Sequence, residues 1–179
     1  MKKSREIATL AGGCFWCTEA IFQKLIGVVK VTSGYSGGWE IPNWENVYGG
    51  KTNLAESVQI EFDPQVISYQ TLLDVFFHLH DPTTLNRQNY DIGPKYRSAV
   101  FYHSSEQKEI AQNLIDKLQN SGQYQDRIVT EISPYKNFYP AEDFHQNYYQ
   151  RNNFQPYCQI IIKPKLKKLL EDYSSLVNN

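Results

Sequence analysis

The sequence lacks a long apolar run and an excess of charge of either sign. No stretch approaches the roughly 20 consecutive apolar residues of a membrane-spanning helix. The basic start at 1–5 is followed by too few apolar residues before Gly12 for a signal peptide. A formal net charge of −1 offers no basic surface for nucleic acid or for an anionic membrane. We therefore expect a cytoplasmic protein that binds neither nucleic acid nor membranes.

Cysteine is also scarce, because the chain of 179 residues contains only 3. A small, odd number does not provide the disulfide framework of a small secreted domain, so any pairing among these thiols is more consistent with a catalytic or incidental role. Neither a second Cys-x-x-Cys pair nor a pair of histidines at ligand spacing accompanies the Cys-x-x-Cys at 14–17. The sequence therefore predicts no metal site.

Short strands alternate with helices along the chain. Apolar periodicity predicts strands at 7–11, 28–35, 56–62, 98–102 and 128–132, and helices at 15–26, 68–78 and 104–118. Some of the connections are too short for the crossover that joins parallel strands. The sequence therefore predicts a single domain, 1–179, with an α+β fold: a two-layer sandwich on a mixed or antiparallel sheet.

The segment 12–19, Gly-Gly-Cys-Phe-Trp-Cys-Thr-Glu, is the most informative part of the sequence. Its glycines allow a tight turn out of a strand, which places Cys14 at the N-terminus of the next helix. Unpaired N–H groups and the helix dipole favour a thiolate there. Cys17 follows one helical turn later, so a disulfide between the two is conceivable. The segment predicts a catalytic or redox thiol; a thioredoxin-like pair and a buried inert cysteine are the alternatives.

Further motifs follow along nearly the whole chain. They are Gly-Tyr-Ser-Gly-Gly at 34–38, His-Asp-Pro-Thr at 80–83, Tyr-Arg-Ser at 96–98, Phe-Tyr-Pro-Ala-Glu-Asp at 138–143 and Pro-Tyr-Cys-Gln at 156–159. Together with Gly-Cys-Phe-Trp at 13–16, they resemble the motifs of the A-type peptide methionine sulfoxide reductases over residues 7–165. The motif at 156–159 is similar to the form of that family that carries a C-terminal recycling cysteine.

The resemblance implies thiol-dependent reduction of methionine S-sulfoxide, free or in proteins, to methionine, as a repair reaction after oxidative stress. It implies thioredoxin as the reductant, and no metal or organic cofactor because the electrons come from thiols. The residues that it implies are Cys14 as the nucleophile, Phe15 and Trp16 as a cage for the methyl group, Glu56 as the acid, Tyr96 as a hydrogen-bond donor to the sulfoxide oxygen, and Asp91 beside the substrate.

The reaction needs an acid opposite the thiol, because sulfoxide sulfur is a poor electrophile until its oxygen is protonated or strongly hydrogen-bonded. Glu56 would have to stay protonated near neutral pH. Burial among aromatic side chains can achieve this by disfavouring the carboxylate. Without its motif, Glu56 would be interpreted as an ordinary carboxylate at the start of a strand. Its role as an acid therefore predicts that its side chain is buried.

A second thiol is expected to complete the reaction, since attack leaves Cys14 as a sulfenic acid that condenses with a thiol to give a disulfide. Cys17 is close in sequence, whereas Cys158 lies in a C-terminal segment, about 150–179, that we expect to be mobile. We favour Cys158 over Cys17 as the resolving cysteine and leave a relay between them open. The protein is expected to be a monomer.

Two positions depart from the pattern of the family. Asn53-Leu54 replaces a Gly-His pair ahead of Glu56, and Trp44 stands where a second oxygen-binding tyrosine is expected. An indole N–H can donate to a sulfoxide oxygen, although it cannot accept as a hydroxyl does. These substitutions motivate an alternative, a sulfoxide-binding or redox-sensing relative with weakened turnover. A generic disulfide oxidoreductase that uses Cys14 and Cys17 is a second alternative.

Overall fold

A mixed sheet forms the centre of the fold. The computed structural model describes residues 5–178, apart from the side chain of Trp44. The strands are β1 (Glu6–Gly12), β2 (Val28–Ser36), β3 (Ala55–Phe62), β4 (Arg87–Gln88), β5 (Asp91–Ile92), β6 (Ser98–Tyr102), β7 (Glu131–Pro134) and β8 (Tyr139–Pro140). Within these described residues, six strands form one sheet in the order β7-β6-β1-β3-β2-β8, and β4 pairs with β5 in a separate hairpin. β6 and β7 run parallel and the other neighbouring pairs antiparallel, which confirms the predicted mixed sheet.

Helices pack against this sheet and against one another. They are α1 (Phe15–Phe22), α2 (Trp44–Tyr48), α3 (Tyr69–Leu79), α4 (Ser105–Asn120), α5 (Tyr148–Asn152) and α6 (Lys163–Asp172). A π-helical turn, Cys158–Ile162, leads directly into α6. α1 contacts β2, β3, α5 and α6, while α3 contacts α4 and α6. The predicted α+β class is confirmed.

Alternate residues of β1 separate two apolar clusters, because successive side chains of a strand point to opposite faces of the sheet. Ala8 and Leu10 belong to the main core, which the helices cover. Ala11 belongs to a smaller cluster with Phe101. A Cβ atom at Gly37 would lie 2.8 Å from the Phe101 ring, so the glycine-rich loop after β2 packs closely over this second cluster.

The predicted starts of two helices are confirmed by their capping hydrogen bonds. The Ser68 hydroxyl accepts from the backbone N–H of Thr71 at 3.0 Å, at the start of α3. The Ser104 hydroxyl accepts from the N–H of Gln107 at 3.2 Å, at the start of α4. Each cap satisfies one of the N–H groups that the first helical turn leaves without a partner.

Two predicted elements have different bounds, and hydrogen bonds from distant residues explain both. α1 ends at Phe22 instead of residue 26, because the following residues pair with the C-terminus: the N–H of Ile26 donates to Leu176. The strand predicted at 128–132 lies at Glu131–Pro134 instead. The N–H of Ile128 donates to a side chain of α4, and that of Val129 donates to Pro82, so these residues are held outside the sheet.

The C-terminal segment is not the mobile arm that the sequence suggests. Cys158 is fully buried in its π-helical turn, and Ile162 and Leu169 anchor the segment in the main core. The apolar spacing of these residues outweighs the polar character of the lysine-rich stretch between them. For residues 5–178, the structure contains no helix with the length and apolar character needed to cross a membrane.

Candidate active site

Cys14 lies in a tight turn between β1 and α1. Gly12 ends the strand, and Gly13 has a φ of 91°, a conformation that residues with a side chain rarely adopt. A Cβ atom on Gly13 would lie 2.7 Å from Gln88 of the β4–β5 hairpin, so the hairpin packs directly on the turn. Cys14 is the N-cap residue of α1 and is only 8% exposed. The predicted place of Cys14 at a helix start is therefore confirmed.

Glu56 lies beside this turn, near the start of β3. Its Oε2 atom accepts a hydrogen bond from the N–H of Phe15 at 3.1 Å, and the residue is 2% exposed. Burial raises the pKa of Glu56 to about 8, although the Phe15 hydrogen bond and the charge of Lys95 oppose this shift. The carboxyl group is therefore protonated at neutral pH. Because Oε2 accepts from Phe15, the proton is placed on Oε1, which can donate it to a ligand.

The thiols of Cys14 and Cys17 share a hydrogen bond. Burial raises the pKa of Cys14 well above its usual value, so the predicted lowering by the helix N-terminus is wrong for the free protein. The N–H of Phe15, the first of α1, is engaged by Glu56 instead. The hydrogen bond with Cys14 lowers the pKa of Cys17 to about 7. The two sulfurs can thus hold one thiolate between them near neutral pH.

Phe15 and Trp16 form an aromatic wall next to Cys14. The Phe15 ring lies 5.6 Å from the Tyr35 ring and 5.1 Å from the His145 ring. Trp16 stacks on Tyr148 with 3.6 Å between ring centroids, and its indole N–H donates to Nδ1 of His145 at 3.1 Å. Burial lowers the pKa of His145, so the ring is neutral and accepts this hydrogen bond. The stacking on Tyr148 and the hydrogen bond to His145 together fix the orientation of the indole.

Glu19 supports the same wall from the core. Its carboxyl oxygens accept from the backbone N–H groups of Asn147 at 2.9 Å and Tyr148 at 3.3 Å. Asn147 has a φ of 54°, and this left-handed residue turns the chain into α5. The buried Glu19 thus holds the start of α5, and with it the Tyr148 ring that stacks on Trp16.

Tyr157 connects Asp91 to the thiols. Its hydroxyl donates to Oδ2 of Asp91 at 2.7 Å and lies 3.7 Å from Sγ of Cys17. It also forms a hydrogen bond with the Cys14 thiol. Burial raises the pKa of Tyr157, so the phenol stays protonated. Cys158 follows directly in the chain and lies within electrostatic range of Cys17.

Lys95 and three tyrosines form the other side of the site. The Lys95 ammonium lies 3.7 Å from the centroid of the Tyr48 ring and 4.9 Å from that of Tyr96. Tyr35 and Tyr48 share a hydrogen bond between their hydroxyls. Burial raises the pKa of Tyr35, Tyr48 and Tyr96, so all three are neutral hydrogen-bond donors. Glu56, when ionised, contributes to each shift, so these phenols lie within electrostatic range of its carboxyl group.

The structure brings most of the predicted site residues together. Those around the thiols are Cys14, Phe15, Trp16, Cys17, Glu56, Asp91 and Tyr96. Cys158 lies beside them, buried instead of mobile. Trp44 begins α2, but its side chain lies outside the described residues.

Sequence reasoning missed several residues of the site. They are Glu19, Tyr35, Tyr48, Lys95, His145 and Tyr157. Tyr35 and Tyr157 belong to the motifs at 34–38 and 156–159, so a closer reading of those motifs could have found them. Tyr48 and Lys95 carry no comparable signal, since each meets the site only through the fold.

Comparisons with known proteins agree on one family. The family model described as "Peptide methionine sulfoxide reductase" matches residues 6–176. The peptide methionine sulfoxide reductase MsrA of Sulfolobus acidocaldarius is 49% identical over 170 residues, which cover 94% of this chain and 95% of that protein. The reduced form of Mxr1 from Saccharomyces cerevisiae is similar with a TM-score of 0.81 and 36% identity, over 88% of this chain and 91% of that one. The structure of Mxr1 from Saccharomyces cerevisiae in complex with Trx2 is similar with a TM-score of 0.59 and 31% identity, over 83% of this chain and 87% of that one.

Proposed function

The chain belongs to the peptide methionine sulfoxide reductase family, and we propose that Cys14 is the nucleophile of its reaction. The predicted activity, thiol-dependent reduction of methionine sulfoxide, is confirmed by these comparisons, which do not favour a relative with lost turnover. One observation carries the assignment to Cys14. The protonated carboxyl group of Glu56 is hydrogen-bonded to the residue next to Cys14, so a thiol and an acid face the same space.

Glu56 acts as the acid. A sulfoxide that enters between Glu56 and Cys14 accepts the Oε1 proton on its oxygen, which makes its sulfur electrophilic. The Cys14 sulfur attacks, with its own proton passing to the Cys17 thiolate. The substrate leaves as methionine, and its oxygen remains on Cys14 as a sulfenic acid. Tyr96 donates a further hydrogen bond to the oxygen during the reaction.

Phe15 and Trp16 bind the methyl group of the sulfoxide. Their rings are buried or half-buried beside Cys14 and are held by His145 and Tyr148, so the apolar wall exists before the substrate arrives. A wall on one side and donors on the other distinguish the two epimers at sulfur, which supports the selectivity for the S form. Asp91 positions the substrate together with Tyr157.

Cys17 resolves the sulfenic acid first, and Cys158 follows by exchange. The thiols of Cys14 and Cys17 interact directly, and residues three apart at a helix start are within the range of a disulfide. Cys158 is buried and lies within electrostatic range of Cys17. This order reverses the preference for Cys158 that the sequence suggested, because that preference relied on a mobile C-terminus. Condensation releases water, and attack by Cys158 on Cys17 then frees the Cys14 thiol.

Two serine variants separate these steps. With several equivalents of S-sulfoxide peptide over enzyme and no reductant, Cys17→Ser is expected to accumulate Cys14 sulfenic acid, because the neighbouring thiol is missing. Dimedone labelling and mass spectrometry would detect it. Cys158→Ser is expected to form the Cys14–Cys17 disulfide without dimedone adduct, but to lose the second methionine that exchange permits. Sulfenic acid in Cys158→Ser and none in Cys17→Ser would contradict this order.

A dithiol protein of the thioredoxin type restores the enzyme. The similarity to a protein whose structure was solved with Trx2 supports this partner. The substrate is a methionine sulfoxide, free or in an oxidised protein, so the reaction repairs damage from oxidative stress. The odd number of reduced cysteines supports a cytoplasmic location. The thiols, the acid and the aromatic wall all come from one chain, which supports a monomer as the active form.

Turnover of a short peptide with S- or R-methionine sulfoxide tests the proposed function. With dithiothreitol as the reductant, the wild type is expected to form methionine from the S peptide and less than about one hundredth as much from the R peptide. Formation of methionine is measured by chromatography. Reduction of both epimers at similar rates would contradict the proposed wall-and-donor arrangement. Reduction of insulin disulfides without any sulfoxide turnover would favour a disulfide oxidoreductase.

A further inference from the structure

The short helix α2 directs Tyr48, a tyrosine that no sequence motif suggested, toward the site. Asn43 caps this helix by accepting from the N–H of Asn46 at 2.8 Å. Val47 is 2% exposed and anchors the helix in the main core. Tyr48, the last residue of α2, follows this anchor directly, so the core contact of Val47 fixes the direction of the Tyr48 side chain.

Three contacts hold Tyr48 toward the reacting groups. The Lys95 ammonium lies 3.7 Å from the centroid of its ring, and the same ammonium lies 4.9 Å from the ring of Tyr96. The Tyr48 hydroxyl shares a hydrogen bond with the buried Tyr35. Tyr48 also lies within electrostatic range of both Glu56 and Cys14. The phenol therefore belongs to the space in which the sulfoxide is proposed to bind.

We propose that the Tyr48 hydroxyl is a catalytic hydrogen-bond donor to the sulfoxide oxygen, opposite the donor supplied by Tyr96. This inference rests on the proposed function. A sulfoxide oxygen carries more than one lone pair, and Glu56 supplies a proton to one of them. Negative charge develops on this oxygen as the S–O bond weakens, so further fixed donors stabilise the transition state.

The neighbours of Tyr48 suit it to this role. The Tyr35 hydroxyl can donate to that of Tyr48, and a hydroxyl that accepts one hydrogen bond donates a stronger one to its next acceptor. The Lys95 cation lies on the face of the ring, 3.7 Å from its centroid, and this cation–π contact holds the phenol in place. Lys95 is therefore a positioning residue for Tyr48, and Tyr35 is a second one.

Tyr48 also accounts for the departure seen in the sequence. The family pattern places an oxygen-binding tyrosine at the position that Trp44 holds here, and Tyr48 stands one helical turn later in the same helix. The chain thus retains a phenol on α2, presented by the end of the helix instead of its beginning.

Binding to an inactive protein tests the inference without turnover. In the Cys14→Ser background, the dissociation constants of an S-sulfoxide peptide and of the same peptide with methionine are measured by calorimetry. Tyr48→Phe keeps the ring beneath Lys95 and removes only the hydroxyl. We expect it to weaken binding of the sulfoxide peptide about 5- to 20-fold and to leave the methionine peptide within about 2-fold. With Cys14 present, kcat is expected to fall about 10- to 100-fold.

A matched control is available on β6. Tyr102 also lies beneath a lysine, since the Lys108 ammonium is 5.7 Å from the centroid of its ring. It is the last residue of β6, at the end of the strand opposite to Ser98, which pairs with Gly12 next to the thiols. Tyr102→Phe is expected to change neither dissociation constant. A sulfoxide preference that survives Tyr48→Phe unchanged would overturn this inference alone. The absence of any sulfoxide preference in the protein with Tyr48 intact would overturn the proposed function together with it.

Discussion

Replacing Cys14 by serine is expected to lower kcat/KM for an S-sulfoxide peptide by at least about 10⁴-fold. The hydroxyl of serine is a far weaker nucleophile than a thiol that shares its proton with Cys17. It also cannot take up the transferred oxygen, because this would form a weak O–O bond in place of the S–O bond of a sulfenic acid. Methionine release with dithiothreitol in excess measures the effect. Because dithiothreitol bypasses the recycling thiols, the loss reports on the first chemical step.

Stability provides the control for this variant. Cys14 is the N-cap of α1 but makes no side-chain hydrogen bond to the helix, whereas serine is among the preferred N-cap residues. Cys14→Ser is therefore expected to unfold in urea at the wild-type concentration or above it. Residual turnover within about tenfold of the wild type would contradict the assignment and direct attention to Cys17 as the nucleophile.

The fold could be predicted largely because its elements carry local signals. Alternating apolar residues mark β3, and serine caps mark the starts of α3 and α4. The exceptions are elements whose bounds depend on distant partners. α1 stops at Phe22 because the C-terminus pairs with the residues after it, and a pattern confined to residues 15–26 does not contain that information. α2 lies in a glycine-marked loop, where the buried Val47 gives no periodicity by itself.

The site was predictable only in part for the same reason. The Gly-Gly-Cys turn locates Cys14, yet the pKa of its thiol is raised chiefly by burial, which depends on the packing of distant segments around the turn. Glu56, 41 residues from Phe15, engages the N–H of Phe15. A local rule about helix N-termini therefore predicts the wrong direction, because burial is the dominant influence on the pKa of Cys14. Likewise, Tyr157 reaches Cys17 across 140 residues, a contact that no spacing in the sequence reveals.

Replacing Glu56 by glutamine is expected to lower kcat/KM about 10²- to 10³-fold at pH 7, since an amide occupies the same space but cannot give up a proton. The wild-type pH profile is expected to rise near the Cys17 pKa of about 7 and to fall above the Glu56 pKa of about 8, where the acid loses its proton. In Glu56→Gln, the rate is expected to rise near pH 7 as in the wild type but not to fall above pH 8. Initial rates from pH 5 to 10, with the S-sulfoxide peptide below KM, measure both limbs.

The stability of Glu56→Gln has an expected sign that separates lost chemistry from lost structure. The folded pKa of Glu56 is raised to about 8 from 4.5, so the wild type loses stability relative to the amide as the pH rises from about 4.5 through 8. Glutamine can still accept from Phe15, and the variant is expected to gain on the order of 3 kcal/mol in the free energy of unfolding at pH 7. Urea unfolding at pH 5 and pH 9 would show the gain growing with pH. A variant that is less stable than the wild type at pH 9, or that keeps the fall in rate above pH 8, would contradict a buried, protonated Glu56 as the acid.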